Sequence, residues 1–510
     1  MSGWIDRNRL LVLAVLTAAF LATTVVKARA KPFWHDEIYT IMVAGLPAMS
    51  DVWGAFGNGL DLSPPLTALA TRLTRTFAGE GPVATRLPSI AAFWIACAVI
   101  FVIVRRRSNA ALALAAAILP YHTAAYRFAI EARGYSLALA CSAIALFAWL
   151  EAARPQRRRA HLVVMAIALA GGVWAHYFAV LTGLPILVGE IVRTWRSRRV
   201  DWGVVGAIAG AAAATLPLAP LATAGVRESE GFWTRQAAAG VTETYDFLFA
   251  PMFDWMLVPA AAIVVVAAIA GLARKFRRRP EGQRAASEER PAGRVPAHEV
   301  AAGIVAVVLP ACAVLLGSTL GIGMVPRYAL FSIAGIAAAV SIAIWSVIDR
   351  RPLVSALLCV TFIVSFGWSV ADSLRPGRHP FLHPVQSRAL FMRSVNEHDP
   401  LVVSSGLWFL QLWFYSTPEQ RARLLYVADP PLARELTGSD TLDRGYIALS
   451  RVTDIRVTGY GAFTATSRDA YVYSLGAHWL VDKLRRDRAT VDEEAREPGA
   501  VLYHVRIPPH

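Results

Sequence analysis

The chain has few of the residues that a soluble protein of its length would carry. Charged residues make up only 17% of its 510 positions, against roughly 25% in ordinary globular domains. Cysteines number four, at Cys97, Cys141, Cys312 and Cys359. Each stands inside an apolar block, none is spaced from another as metal ligands are, and the long polar segments have none. That pattern gives neither a disulfide framework nor a zinc motif. No convincing internal repeat is present, and no ionisable residue stands clearly in the middle of an apolar block. Both absences argue against a proton or ion relay and against a transporter or lipid flippase, the main alternative to an enzyme.

What is present is hydrophobic. Apolar residues are 56% of the chain, mean hydropathy is +0.45, and the apolar residues come in blocks of roughly 17 to 22, enough to cross the bilayer core as helix. About eleven spans follow: Leu10–Val26, Ser89–Val104, Asn109–Tyr126, Tyr135–Ala152, His161–Trp174, Tyr177–Ile191, Trp202–Ala222, Trp255–Ala273, Val300–Leu320, Tyr328–Val347 and Leu353–Val370. The net charge of +15 sits in clusters between them, such as Arg105-Arg106-Arg107, Arg157-Arg158-Arg159, Arg277-Arg278-Arg279 and Arg350-Arg351. With the N-terminus inside, these clusters fall on alternate connections, all cytoplasmic, which is the positive-inside pattern. It accounts for the basic excess without nucleic acid, for which no recognition motif is present. Lys27, Arg29 and Lys31 break the rule just outside the first span. Ala28-Arg29-Ala30 resembles a signal-peptide cleavage site, but the long apolar core and the charge at the site favour a retained anchor.

The expected organisation is an α-helical polytopic membrane domain over 1–371 and an extracytoplasmic α/β domain over 372–510. The membrane domain has a first outer loop at 27–88 and a disordered cytoplasmic loop, rich in Arg, Glu, Ala and Pro, at 274–299. The tail alternates short apolar runs such as Leu401-Val402-Val403 and Leu424-Leu425-Tyr426-Val427 with helical stretches, which predicts a partly parallel sheet.

Chemistry-bearing residues gather on the expected outer face. Phe33-Trp34-His35-Asp36-Glu37-Ile38-Tyr39 sets two acids and a histidine among aromatics just beyond the first span; such a segment is either a solvated loop end or a partly desolvated base. Tyr126-Arg127-Phe128-Ala129-Ile130-Glu131-Ala132-Arg133-Gly134-Tyr135 carries two arginines on an outer turn, where an anion is a natural partner. An Arg127–Glu131 pair at i,i+4 explains two of those charges and leaves Arg133 over. Pro326-Arg327-Tyr328 reads either as a snorkelling interfacial arginine or as a third cation of the site. His176, in Trp174-Ala175-His176-Tyr177-Phe178, marks another outer break, where a lone histidine is more often structural. A non-catalytic scaffold remains the third reading.

In order along the chain, Trp34-His35-Asp36-Glu37, Ser63-Pro64-Pro65-Leu66, Arg86-Leu87-Pro88-Ser89, Glu131-Ala132-Arg133-Gly134-Tyr135, His176-Tyr177-Phe178 and Pro326-Arg327-Tyr328 resemble motifs of the GT-C class of membrane glycosyltransferases. The resemblance is to bacterial relatives of protein O-mannosyltransferases and of the lipid A aminoarabinose transferase, of glycosyltransferase family 39 type. Close correspondence runs from about Lys31 to Phe178, and the rest agrees in topology. After Pro65 the chain reads Leu-Thr-Ala-Leu, without the aromatic usual in that family.

The resemblance implies inverting transfer of a sugar from a polyprenyl-phosphate donor to an acceptor hydroxyl on a cell-envelope glycan, lipid or protein, at the outer face of the plasma (inner) membrane. It casts Asp36 as general base with Glu37 as helper or orienter, and Arg133, Arg327 and Arg127, with a contribution from Lys31, as donor-phosphate contacts. Trp34, His35, Tyr39, Glu131, Tyr135, His176 and Tyr328 are then substrate-binding candidates. No cofactor is expected: a lipid phosphate held by arginines needs no nucleotide, and no convincing metal-ligand set can be assembled around His35.

Overall fold

Runs of alanine, leucine and valine without internal charge form helices in lipid, because every backbone N–H and C=O must be satisfied within the segment. The computed structural model describes residues 7–227, 231–235, 238–253, 257–277, 295–321, 323–348, 350–375, 381–476 and 478–508. Among them, nine helices are long and apolar enough to cross a membrane: Leu10–Ala30, Pro82–Arg105, Tyr135–Ala152, Arg158–Ala175, Tyr177–Ser197, Trp202–Thr223, Ala297–Leu320, Pro326–Val347 and Pro352–Ser373. Side chains such as Leu315 and Val364 point outward with more than 60% of their surface exposed, which lipid tolerates and water does not. The chain is a multi-pass membrane protein.

The span count differs from the expected eleven. The two others are shorter apolar helices, Ala110–His122 and Val258–Ala267. The expected span Asn109–Tyr126 is broken: an α-helix over Ala110–Ile118 tightens into a 3-10 turn at Leu119–His122, and a separate short helix follows at Ala125–Ala129. Pro120 lacks the N–H that would continue the ladder. Asn109 begins the segment by accepting the Leu112 N–H at 2.9 Å. The second span starts at Pro82 rather than Ser89, with Pro82 in the first turn, where its missing N–H costs nothing. Of the expected loop 274–299, residues 278–294 lie outside the described residues; its two ends belong to helices Leu257–Arg277 and Ala297–Leu320.

Between the first two spans, the chain forms three short helices, His35–Ala44, Met49–Gly57 and Leu66–Ala78. The C-terminal part holds a six-stranded sheet of order β3-β2-β1-β4-β6-β5. Its strands are β1 (Leu401–Val403), β2 (Leu424–Val427), β3 (Val457–Thr458), β4 (Asp469–Leu475), β5 (Thr490–Glu497) and β6 (Ala500–Arg506). β3, β2, β1 and β4 are parallel, while β6 and β5 add antiparallel, so the sheet is partly parallel as the alternation of elements predicts.

The packing of this sheet positions the site. Leu401 and Val403, on one face of β1, belong to a core that also contains Phe409 and Tyr426 and, from the first loop, Ile38, Tyr39, Val52 and Phe56. Val402, on the other face, packs with Val427, Trp479 and Leu480. The loop helix His35–Ala44 is therefore roofed by the C-terminal domain, and the Phe33 N–H donates to the Tyr415 hydroxyl at 2.5 Å.

Candidate active site

Helix His35–Ala44 begins at Trp34, and Glu37, in its first turn, reaches back to the Trp34 N–H at 3.4 Å, half of a capping box. Both oxygens of Glu37 are then taken: Arg86 donates from Nε at 2.7 Å and from Nη2 at 2.8 Å, and the Ala132 N–H donates at 2.9 Å. Neither the Glu37 nor the Arg86 side chain is exposed. Arg86 also bonds the carbonyls of Ala28, Lys31 and Pro32. Glu37 thus ties the end of the first span, the second span and the 130–134 turn together. Both of its oxygens are engaged by donors of the protein itself.

One residue earlier, Asp36 faces a recess and keeps 24% of its side-chain surface exposed. Its Oδ1 lies 3.4 Å from His35 Nδ1, and its Oδ2 lies 3.9 Å from Arg327 Nη2. Arg133 holds the backbone beneath it, donating from Nη1 to the Asp36 carbonyl at 3.2 Å and to Thr40 Oγ1 at 3.3 Å, and from Nη2 to Ser63 Oγ at 2.8 Å. Asp61 comes within 3.7 Å of the same guanidinium. Burial alone would raise the Asp36 carboxyl. The hydrogen bond from His35 and the charges of Arg133, His35 and Arg327 outweigh it and hold the group at about 2. Burial likewise opposes charge on Arg133, but Asp61 and Asp36 keep it above its ordinary value.

The far wall is aromatic. Tyr135 OH accepts from Arg327 Nε at 2.9 Å, and His176 lies between the rings of Tyr135 and Tyr328, 5.3 and 4.9 Å between centroids. Burial, reinforced by Arg133 and Arg327, pushes His176 down to about 3, so this imidazole is neutral at physiological pH. Gly134 permits the arrangement: a Cβ there would collide with the Ala175 carbonyl.

Asp36, His35, Arg133, Arg327, Tyr135, His176 and Tyr328 are thus brought together from four separate connections. Other candidates stand apart. Arg127 has a side chain 70% exposed and sits 3.8 Å from Glu131. Glu131 is buried behind the turn in an ion pair with Lys31. Tyr39 lies under His35, 5.0 Å between rings, and Trp34 buries an indole N–H without a hydrogen-bond partner. Sequence reasoning missed Asp61 and Trp233, whose indole covers Arg327 at 4.9 Å. The only signal for Asp61 was an extra acid two residues before Ser63-Pro64-Pro65. Among the described residues, no three of His, Cys, Asp and Glu converge as a metal-ligand set.

Residues 63–220 match the family model described as dolichyl-phosphate-mannose-protein mannosyltransferase. That stretch holds Ser63, Arg86, Arg133 and His176, while Asp36 and Arg327 lie outside it. No curated protein matches the sequence. Among solved structures, ArnT from Cupriavidus metallidurans in the apo state aligns over 98% of this chain and 98% of its own, with a TM-score of 0.58 at 14% identity. ArnT from the same organism bound to undecaprenyl phosphate aligns over 99% and 98%, with a TM-score of 0.56 at 14% identity. The fold is therefore shared over nearly the whole length. The chain thus shares the fold of these membrane glycosyltransferases, and its residues 63–220 resemble the mannosyltransferase family.

Proposed function

We propose that the protein transfers a sugar, with inversion, from a polyprenyl-phosphate carrier to an acceptor hydroxyl at the outer face of the plasma (inner) membrane, with Asp36 as the general base. The observation that carries this reading is the meeting of one open carboxylate, Asp36, with two guanidiniums, Arg133 and Arg327, in a recess walled by Tyr135, His176 and Tyr328. The undecaprenyl phosphate bound by the similarly folded ArnT is a lipid of the expected donor class. The sidedness rests on charge. Pro82–Arg105 carries Arg86, beside the site, at one end and the Arg105-Arg106-Arg107 cluster at the other, and the positive-inside rule keeps such clusters cytoplasmic.

The chemistry follows from the charges. The acceptor oxygen attacks the anomeric carbon as its proton passes to Asp36. The bond from that carbon to the phosphate oxygen breaks, and the lipid phosphate leaves with the electron pair. Arg327 and Arg133 face the negative charge that grows on it. A carboxylate held at about 2 is a poor base, and donor binding corrects this. Within the protein itself two acids, Asp36 and Asp61, balance two arginines, Arg133 and Arg327. A phosphate engaging the arginines leaves Asp36 undercompensated and raises its proton affinity. The base is thus switched on by the donor.

The test is to incubate purified protein with a panel of polyprenyl-phosphate sugars and a cell-envelope extract, and to measure released lipid phosphate. Release from at least one donor, dependent on the extract, supports the reading; no release from any of them removes it.

A further inference from the structure

One helix of the C-terminal domain, Thr441–Leu449, bears on both charged parts of the recess. At its N-terminal end, the Asp440 N–H and Ser439 Oγ donate to the Gly231 carbonyl at 3.1 and 2.9 Å, and Thr441 Oγ1 accepts the Trp233 N–H at 3.1 Å. Gly231 lies so close that a Cβ would collide with the Asp440 carboxylate, which Arg444 holds at 2.9 Å. Clamped in this way, residues 231–233 set the Trp233 indole over the Arg327 guanidinium. Four residues along the same helix, Gly445 makes room for the Tyr39 hydroxyl, 2.7 Å from where a Cβ would stand. Tyr446 meets His35 edge-on at 6.3 Å, and His35 in turn bonds Asp36.

We infer that the C-terminal domain sets the affinity of the recess for a lipid phosphate, by holding Trp233 against Arg327 through the Ser439–Thr441 clamp. Trp233 and Thr441 are positioning residues. A planar guanidinium with one face covered by an aromatic ring is dry on that face, and is held so that its N–H edge meets an oxyanion. Nε is already committed to Tyr135, and Nη2 lies 3.9 Å from Asp36, which leaves the terminal nitrogens as the edge to meet a phosphate. The inference rests on the reading of Arg327 as a phosphate contact and adds to it a role for a domain that, among the described residues, contributes no charged group of its own to the recess.

The experiment measures undecaprenyl phosphate binding to the full purified chain by native mass spectrometry. The variants are Arg327→Ala, Trp233→Ala, Trp233→Phe, Ser439→Ala with Thr441→Ala, and the combination of this pair with Trp233→Ala. Gly231→Ala, which pushes on the same clamp from the loop side, is a second route should the serine–threonine variant lose its fold. Trp233→Ala is expected to weaken binding about 3- to 30-fold, with partial restoration by phenylalanine. The clamp variants should lose a similar factor, and the combination should lose no more than Trp233→Ala alone, because one interaction is being removed twice. Clamp variants that bind as the native chain does, or losses that multiply, overturn the inference while an affected Arg327→Ala leaves the donor reading standing. If Arg327→Ala itself binds normally, the donor reading falls and takes the inference with it.

Discussion

Arg86 and Glu37 form a two-pronged ion pair, 2.7 and 2.8 Å, in which neither side chain is exposed. Breaking one side of such a pair strands a buried charge, at a cost of about 3–5 kcal/mol. Arg86→Ala is therefore expected to lower the thermal midpoint of the detergent-solubilised protein sharply, and Arg86→Lys to rescue little, because an ammonium cannot serve both oxygens and three carbonyls. A midpoint unchanged in Arg86→Ala would contradict the keystone role.

Asp36→Asn should separate chemistry from donor binding. The amide keeps size and hydrogen bonding but accepts no proton, so turnover should fall about 10²–10⁴-fold, while undecaprenyl phosphate binding persists. Comparing turnover with binding in this variant decides the base assignment; normal turnover ends it.

The Asp36 carboxyl, at about 2 rather than 3.8, has a depressed value in the folded state. Its contribution to stability is present above about pH 3.8 and fades as pH falls through about 2. In the free enzyme, kcat/KM should show no acid limb from Asp36 above about pH 4. Arg327→Gln removes one of the charges responsible and should shift the limb upward. A pH profile of kcat/KM for both proteins checks the direction, and a limb that does not move, or moves down, contradicts it.

Gly134 has no room for a methyl group against the Ala175 carbonyl. Gly134→Ala should displace the turn that carries Arg133, at a cost of about 1–3 kcal/mol. Both the thermal midpoint and undecaprenyl phosphate binding should drop. Unchanged binding would mean that Arg133 does not need this turn in its place.

Sidedness can be read from labelling. Asp482, 60% exposed in the C-terminal domain, replaced by cysteine, should react with a membrane-impermeant maleimide in intact cells. Labelling that appears only after permeabilisation would reverse the orientation of the site.

The cluster around Asp36 was legible because its members break the expected pattern. Arg133 and Arg327 fall on the connections that the charge pattern assigns to the side where positive charge is unfavoured, and Asp36 is an acid among aromatics at a helix end. What stayed hidden depends on partners far along the chain. Glu37 reads like its neighbour Asp36 until Arg86, 49 residues away, is seen to close over it. Asp61 and Trp233 look like ordinary loop residues until Arg133 and Arg327 are placed beside them. Proline was equally ambiguous. Pro88 and Pro310 lie within continuous helices, whereas the helix tightens at Pro120, because neighbouring helices decide whether a freed carbonyl finds a partner.

The core shared by the first loop and β1 has a bearing on how the enzyme is made. Asp36 leaves the ribosome early, Arg327 follows some 290 residues later, and the helix that steadies them both comes after that. Domains fold as units in the order of synthesis, but here Ile38, Tyr39, Val52 and Phe56 have no completed core until β1 and helix Gly406–Tyr415 arrive. The loop helix that carries Asp36 therefore lacks part of its covering until late in translation, and a chain cut short before Leu401 would leave Ile38, Tyr39, Val52 and Phe56 facing solvent where the sheet now packs.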